Sequence, residues 1–205
     1  MIDSTESPED RSKGLKWGFD AYQGIFHILE KDLKEASILD VGAGDGEFVG
    51  YAREVLGNQN VFGVDKREYD SIPNGVIQAD GVHLPFKDGQ FKIVVACHYV
   101  PIETDIITPM MRVREMLRVM SDDGYVTFNG RTPEGEQAAK QWFIENNPEI
   151  DSEDKDRAIK KYDAFTNSAR TFLQDVYALK EEGYEVTQTG EQGSVFTIRK
   201  KPSTE

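Results

Sequence analysis

Residues 38 to 48 read ILDVGAGDGEF, a short apolar strand that runs straight into glycines at every second position. Few folds accept that succession. Ile38, Leu39 and Val41 supply a strand short and apolar enough to be buried on both faces, as the inner strands of a parallel sheet are. Gly42, Gly44 and Gly46 then let the backbone turn sharply, approach a ligand closely and enter a helix whose free N–H groups point at it. Phe48, Ala52, Val55 and Leu56 mark that helix by their spacing, and Gly57 stops it. Glycines also serve strand-to-helix turns that hold no ligand, so the functional reading rests on agreement with the segments that follow.

The next strand, NVFGVD, ends in Asp65 about 20 residues past the loop, where doubly wound nucleotide folds place the acid that accepts hydrogen bonds from ribose hydroxyls. A 2′-phosphate would be repelled by that carboxylate, although Lys66 and Arg67 follow it. The competing reading is a dinucleotide dehydrogenase, whose loop is G-x-G-x-x-G/A. Here Glu47 occupies the last glycine position, and its carboxylate would face a pyrophosphate. The G-x-G-x-G spacing therefore favours a cofactor without phosphates.

With these residues in view, the chain resembles the class I S-adenosylmethionine-dependent methyltransferases, most of all the small-molecule branch that includes the quinone-biosynthesis methyltransferases. The matching segments are LDVGAGDG (Leu39 to Gly46), FGVD (Phe62 to Asp65), QADGVHLPFKDGQFKIVV (Gln78 to Val95) and EMLRVMSDDGYVTF (Glu115 to Phe128), in family order. The resemblance implies S-adenosylmethionine as cofactor and a Rossmann-like methyltransferase fold. That fold is α/β, a doubly wound, mostly parallel seven-stranded sheet with an antiparallel C-terminal hairpin. It also implies roles. Gly42, Ala43 and Gly44 would lie against the methionine moiety and ribose, Asp40 would help place the amino group, and Asp65, with Lys66 beside it, would take the diol. Asp80 and Gly81 would hold adenine, a carboxylate accepting from the exocyclic amine. Asp80-Gly81 is equally a turn signal in its own right. Lys92 departs from the family, which usually carries an acid after the phenylalanine at that point.

Charge narrows the acceptor. With 24 Lys and Arg against 37 Asp and Glu, the formal net charge is −13, a field that repels nucleic acid and anionic membrane surfaces. No nucleic-acid partner and no membrane insertion are expected, and the acceptor is expected to be a small molecule. A single cysteine allows no internal disulfide, and no apolar run reaches spanning length, so a cytoplasmic location is expected. At 205 residues and 38% hydrophobic content, one sizeable α/β domain is the natural organisation. The oligomeric state is not readable.

Residues 1–13 are polar and free of aromatics and are expected to form a mobile tail, with residues 14–205 as a single domain. Tyr22, Ile25, Phe26, Leu29 and Leu33 read as one helical stripe, with Trp17 and Phe19 as candidate covers of the cofactor mouth. Strands are expected near SILDV, NVFGV, VIQAD, KIVVAC and YVTFN; between the last two, Ile106, Met110, Val113, Leu117 and Met120 repeat at helical spacing. Residues 131–167 interrupt the βαβ rhythm as a helical insertion and candidate substrate lid. Its two helices are opened by Thr132-Pro133 and by Asp151 or Ser152. A separate helix carrying Phe172, Val176 and Leu179 then leads to YEVTQT and SVFTIR, the closing hairpin.

Methyl transfer asks for alignment and exclusion of water more than for a catalytic side chain. Where the acceptor must lose a proton, the candidate base is His98, at the end of the fourth strand beside the switch point. A histidine there also caps backbone groups or packs on Tyr99, and that reading is preferred. His27 and His83 read as structural, Cys97 as a packed thiol without the Pro-Cys context of a nucleophile, and the set has no metal-ligand spacing. The alternative to an enzyme is a non-catalytic S-adenosylmethionine-binding regulatory or partner protein.

Overall fold

The structure, a computed structural model, describes residues 8–69, 71–100, 107–190 and 194–202, and at 8–12, 98–100 and 107 the backbone alone. The chain runs α1 (Pro8–Phe26), α2 (Glu30–Glu35), β1 (Ile38–Val41), α3 (Glu47–Glu54), β2 (Val61–Asp65), β3 (Val76–Gln78), β4 (Phe91–Val100), α4 (Ile107–Val119), β5 (Met120–Gly130), α5 (Pro133–Asn146), α6 (Ser152–Ala178), β6 (Tyr184–Thr189) and β7 (Val195–Lys200). The seven strands form one sheet in the order β3-β2-β1-β4-β5-β7-β6. The first five in chain order pair in parallel, and β7 runs antiparallel to both β5 and β6.

Side-chain alternation sorts the core onto two faces. Leu39, Val41, Val94, Val126 and Phe128 face α4 and α6, where Val113, Met116, Phe172 and Val176 meet them. Ile38, Ile93 and Val95 face the other way, toward Leu33 of α2 and Phe48, Val49 and Ala52 of α3. Every residue of β1 is buried, which fits an inner strand sandwiched between helical layers. From β1 the chain winds outward to β2 and β3, then crosses back to β4 on the opposite flank of β1. The carboxyl edge between β1 and β4 is therefore the switch point, where open sheets of this kind take their ligands.

Three expectations change. The first helix among the described residues starts at Pro8, so residues 8–13 are helical rather than tail, with proline in the first-turn position where its missing N–H costs nothing; residues 1–7 lie outside the described residues. The long N-terminal stripe is two helices, because the backbone turns left-handed at His27 (φ 49°) and Ile28 takes the buried place expected for Leu29, which is 69% exposed. Asn58 fixes the second helix by donating to the carbonyls of Leu33 and Ala36, both at 2.9 Å. At the other end, Thr132 caps α5 through Gly135 N–H at 3.1 Å and Asp151 caps α6 through Glu153 and Asp154 N–H, both at 2.9 Å, as their positions imply. The insertion does not end at Asn167, however. Residues 152 to 178 contain neither glycine nor proline, and α6 continues unbroken through the expected boundary. Of the stripe between the fourth and fifth strands, Ile106 lies outside the described residues.

One close approach holds β2 to its neighbours. A Cβ at Gly63 would lie 2.7 Å from Ala43 Cβ and 3.0 Å from Val49 Cγ2, whereas one at Gly14 of α1 would meet nothing within 4 Å. Gly63→Ala is expected to lower unfolding free energy by about 1–3 kcal/mol through overpacking. Gly14→Ala is expected to raise it by about 0.5–1 kcal/mol through helix propensity. Urea titrations of the two variants check both signs.

Candidate active site

The turn out of β1 is left-handed at each glycine, with φ of 83°, 58° and 72° at Gly42, Gly44 and Gly46. Gly42 and Ala43 donate their N–H groups to Val64 O at 2.7 and 3.0 Å, which ties the turn to β2. Gly46 caps α3 in that conformation; a Cβ there would lie 2.9 Å from Val76 Cγ2, so the space is filled by the neighbouring strand.

Asp65 stands at the end of β2 and is almost fully buried. One carboxylate oxygen accepts from Gly44 N–H at 2.9 Å, the other from Arg67 N–H at 2.9 Å and Arg67 Nε at 3.2 Å. Arg67 in turn lies over the Tyr69 ring and pairs with Asp45, and Tyr69 Oη donates to Gly44 O. The loop and the acid are thus closed into one collar. Lys66 is exposed beside it. Arg67 and Tyr69 are site-forming residues that the motif did not announce; the signal available was their position just past the ribose-type acid.

Asp80 and Gly81 come to the same edge, since Ala79 N–H donates to Asp65 O at 3.0 Å. The Asp80 carboxylate is exposed and accepts from Val82 N–H at 3.1 Å through one oxygen, so the turn chemistry expected of Asp-Gly is present. The rest of this loop is pinned from α4. Glu115 accepts from Leu84 N–H, while Arg118 donates to the carbonyls of Leu84 and Phe86 and to the carboxylates of Glu115 and Asp88. In this way the EMLR segment positions the loop after β3.

Helix α1 covers the start of α3. Phe19 stacks on Tyr51 at 4.3 Å, Tyr22 stacks on Phe48 at 4.6 Å, and a Cβ at Gly18 would strike the Glu47 side chain. Phe19 therefore packs against α3, but Trp17 does not. It is 73% exposed, because the helical face directed at α3 holds Leu15, Gly18, Phe19 and Tyr22, and residue 17 falls outside that arc. His98 belongs to β4 by its backbone, two residues before the strand ends, and its side chain lies outside the described residues. Cys97 before it is half-buried, and burial pushes its thiol up to about 11, which suppresses the thiolate. Among the described residues no cluster of histidine, cysteine or carboxylates could hold a metal ion, and no helix is long and apolar enough to cross a membrane.

Asp40 is the unusual group. It is fully buried at the carboxyl end of β1, and both oxygens accept from Tyr22 Oη, at 3.0 and 3.1 Å. Burial drives its carboxyl up to about 7; the Tyr22 hydrogen bond opposes that rise and the charge of Asp65 adds to it. A carboxyl raised in the folded state helps folding below its ordinary value of 3.8 and loses that contribution as pH rises through about 7. Asp40→Asn, which keeps an acceptor for Tyr22, should therefore be more stable than the parent at pH 8, by on the order of 2 kcal/mol. The gap should close as pH falls toward about 4. Chemical unfolding at the two pH values measures this; equal stability at pH 8 would show that ionised Asp40 is not a cost to the fold.

Comparison with known proteins agrees with this geometry. Residues 39–128, from β1 through β5, match the methyltransferase domain family. A possible histamine N-methyltransferase from Thermotoga maritima superposes with a TM-score of 0.51 at 18% identity, over 94% of this chain and 93% of that one. The plantazolicin methyltransferase, in complex with SAH and a desmethyl plantazolicin analogue, superposes with a TM-score of 0.51 at 13% identity, over 97% and 88% of the two chains. In sequence, 57 residues are 39% identical to the uncharacterized Escherichia coli (strain K12) protein YafS, a match covering 28% of this chain and 22% of that protein's length. The matched segment, residues 39–128, carries the glycine turn, Asp65 and the Asp80 loop and resembles a methyltransferase domain, and the sheet around it has the fold of these S-adenosylmethionine-dependent methyltransferase structures.

Proposed function

We propose that this chain transfers the methyl group of S-adenosylmethionine to a small-molecule acceptor. The observation that carries this reading is a pair of buried carboxylates, Asp40 and Asp65, on the adjacent strands β1 and β2, with the left-handed glycine turn between them. Asp40 meets no cation among the described residues, so a ligand ammonium would supply the charge its site lacks. Asp65 keeps lone pairs beyond its three hydrogen bonds and suits a ribose diol. Gly42, Ala43 and Gly44 offer backbone at close range, and Asp80 and Gly81 are proposed for adenine, with Lys66 at the rim.

The bound sulfonium supplies an electrophilic methyl carbon. The protein's part is to hold that carbon in line with the acceptor and to keep water out. Helix α1, with Phe19 and Tyr22, shields the side next to α3, and α5 with the first half of α6 is the proposed lid on the side of β5. Support for a small acceptor comes from the chain's charge of −13, which disfavours nucleic acid, and from the small-molecule names carried by proteins of the same fold. His98 is the proposed base for acceptors that must lose a proton.

Asp65→Ala should weaken S-adenosylhomocysteine binding by about 1.5–3 kcal/mol, as for loss of a charged hydrogen-bond partner. Calorimetry showing tight NAD binding and none of either sulfur compound would sink the reading. Methyl-labelled cofactor incubated with metabolite pools should yield a labelled small product; cofactor binding without any labelled product would identify a binding protein instead. For a proton-bearing acceptor, His98→Ala should lower single-turnover transfer by about 10²–10⁴, with cofactor affinity unchanged. Retained transfer by the folded variant would assign His98 to packing.

A further inference from the structure

We propose that Arg131 is the acceptor-recognition residue of this site and that the acceptor carries a carboxylate; the inference rests on the methyl-transfer reading above. Arg131 follows β5 directly, and β5 lies beside β4, whose other neighbour is β1. It therefore stands at the carboxyl edge about two strand spacings, roughly 10 Å, from the glycine turn, on the side away from Asp65. A cofactor spread over β2, β1 and β4 leaves this flank for the acceptor.

The guanidinium is held in one orientation by two elements. Its Nη1 alone donates to both carboxylate oxygens of Glu136, at 3.0 and 3.2 Å, and Glu136 on α5 is buried. Its carbon lies 5.0 Å from the centroid of the Phe165 ring on α6. The remaining donors, Nε and Nη2, meet no acceptor among the described residues, and the side chain is half exposed. Those two N–H groups form the side-on fork of the guanidinium, whose spacing matches the two oxygens of a carboxylate. Lys161, exposed one helical turn before Phe165, places its ammonium 5.7 Å from the same ring. Arg131 and Lys161 thus share the Phe165 ring, with Glu136 the carboxylate paired to Arg131. A planar acid with an apolar body fits this combination; a neutral acceptor would leave the fork unpaired.

Binding to the protein saturated with S-adenosylhomocysteine is the test, with benzoate against benzamide and hydroxybenzoates and aminobenzoates against their amides as matched probes. The acid of at least one pair should bind about ten- to hundredfold tighter than its amide. Arg131→Gln should erase that difference, and Arg131→Lys, which keeps charge but loses the fork, should retain part of it. S-adenosylhomocysteine affinity should be unchanged in both. Because Arg131→Gln leaves Glu136 buried without its partner, the double variant Arg131→Gln, Glu136→Gln repeats the measurement without that charge. Equal affinity for acids and amides, no binding of any acid, or discrimination that survives in the double variant overturns the proposal. Labelled methyl transfer is read separately. Discrimination without transfer would refute the methyltransferase activity and keep the recognition site, whereas transfer to neutral probes alone would do the reverse.

Discussion

The geometry of this site depends on the turn between β1 and α3. Three alternate positions must take left-handed backbone, and the space above Gly46 and Gly63 is already filled by Val76, Ala43 and Val49, so no side chain fits where these glycines stand. Because the turn hangs from Val64 by two hydrogen bonds and Asp65 reaches back to Gly44, the loop, β2 and the acid move as one body. The loop after β3 joins through Ala79, and α4 secures its far side through Glu115 and Arg118. A ligand would meet a surface whose parts are already fixed, which lowers the ordering cost of binding.

Against that rigid frame, Asp40 is a source of instability. A carboxyl raised to about 7 by burial disfavours the folded state at neutral pH, yet nothing in the packing requires an acid there: Ile38, on the same face of β1, is plainly apolar. Stability is given up at the point where a charged ligand group would restore it, a pattern expected of binding sites rather than of cores. Tyr22 moderates the cost with a single hydroxyl, and since that hydroxyl comes from α1, the state of the carboxyl and the seating of the helix are linked.

The sheet and the loop were legible because both are written in local sequence. Alternating or continuous apolar runs gave the strands, the glycines gave the turn, and Thr132 and Asp151 announced their helices by capping chemistry. What escaped depends on tertiary contacts. The break at His27 has no glycine or proline to mark it; it follows from Ile28 packing inward and from Asn58, 22 residues past the end of α2's carbonyls, binding them from another element. Trp17 looked like a cover by composition, but helix phase turns it outward. Tyr22 read as one more apolar stripe member, since only the fold brings its hydroxyl to Asp40. Arg67 and Tyr69 stood beside a recognised acid without any spacing rule to include them, and Arg131 was only the first residue of a supposed insertion.

The continuity of α6 carries a mechanical consequence. At 27 residues it is a rod of roughly 40 Å, with Phe165 at its midpoint and Phe172 and Val176 locked into the sheet's core on its C-terminal half. No glycine or proline offers it a joint. Its free half cannot swing as a flap without levering the core half, so access at Phe165 has to come from elsewhere. The shorter α5 is joined to the rod by the 147–151 connection, by Lys140 with Asp163 and by Phe143 with Tyr162. Any movement that opened the flank of β5 would therefore have to come from α5 rather than from α6, and it would have to break those two side-chain pairs.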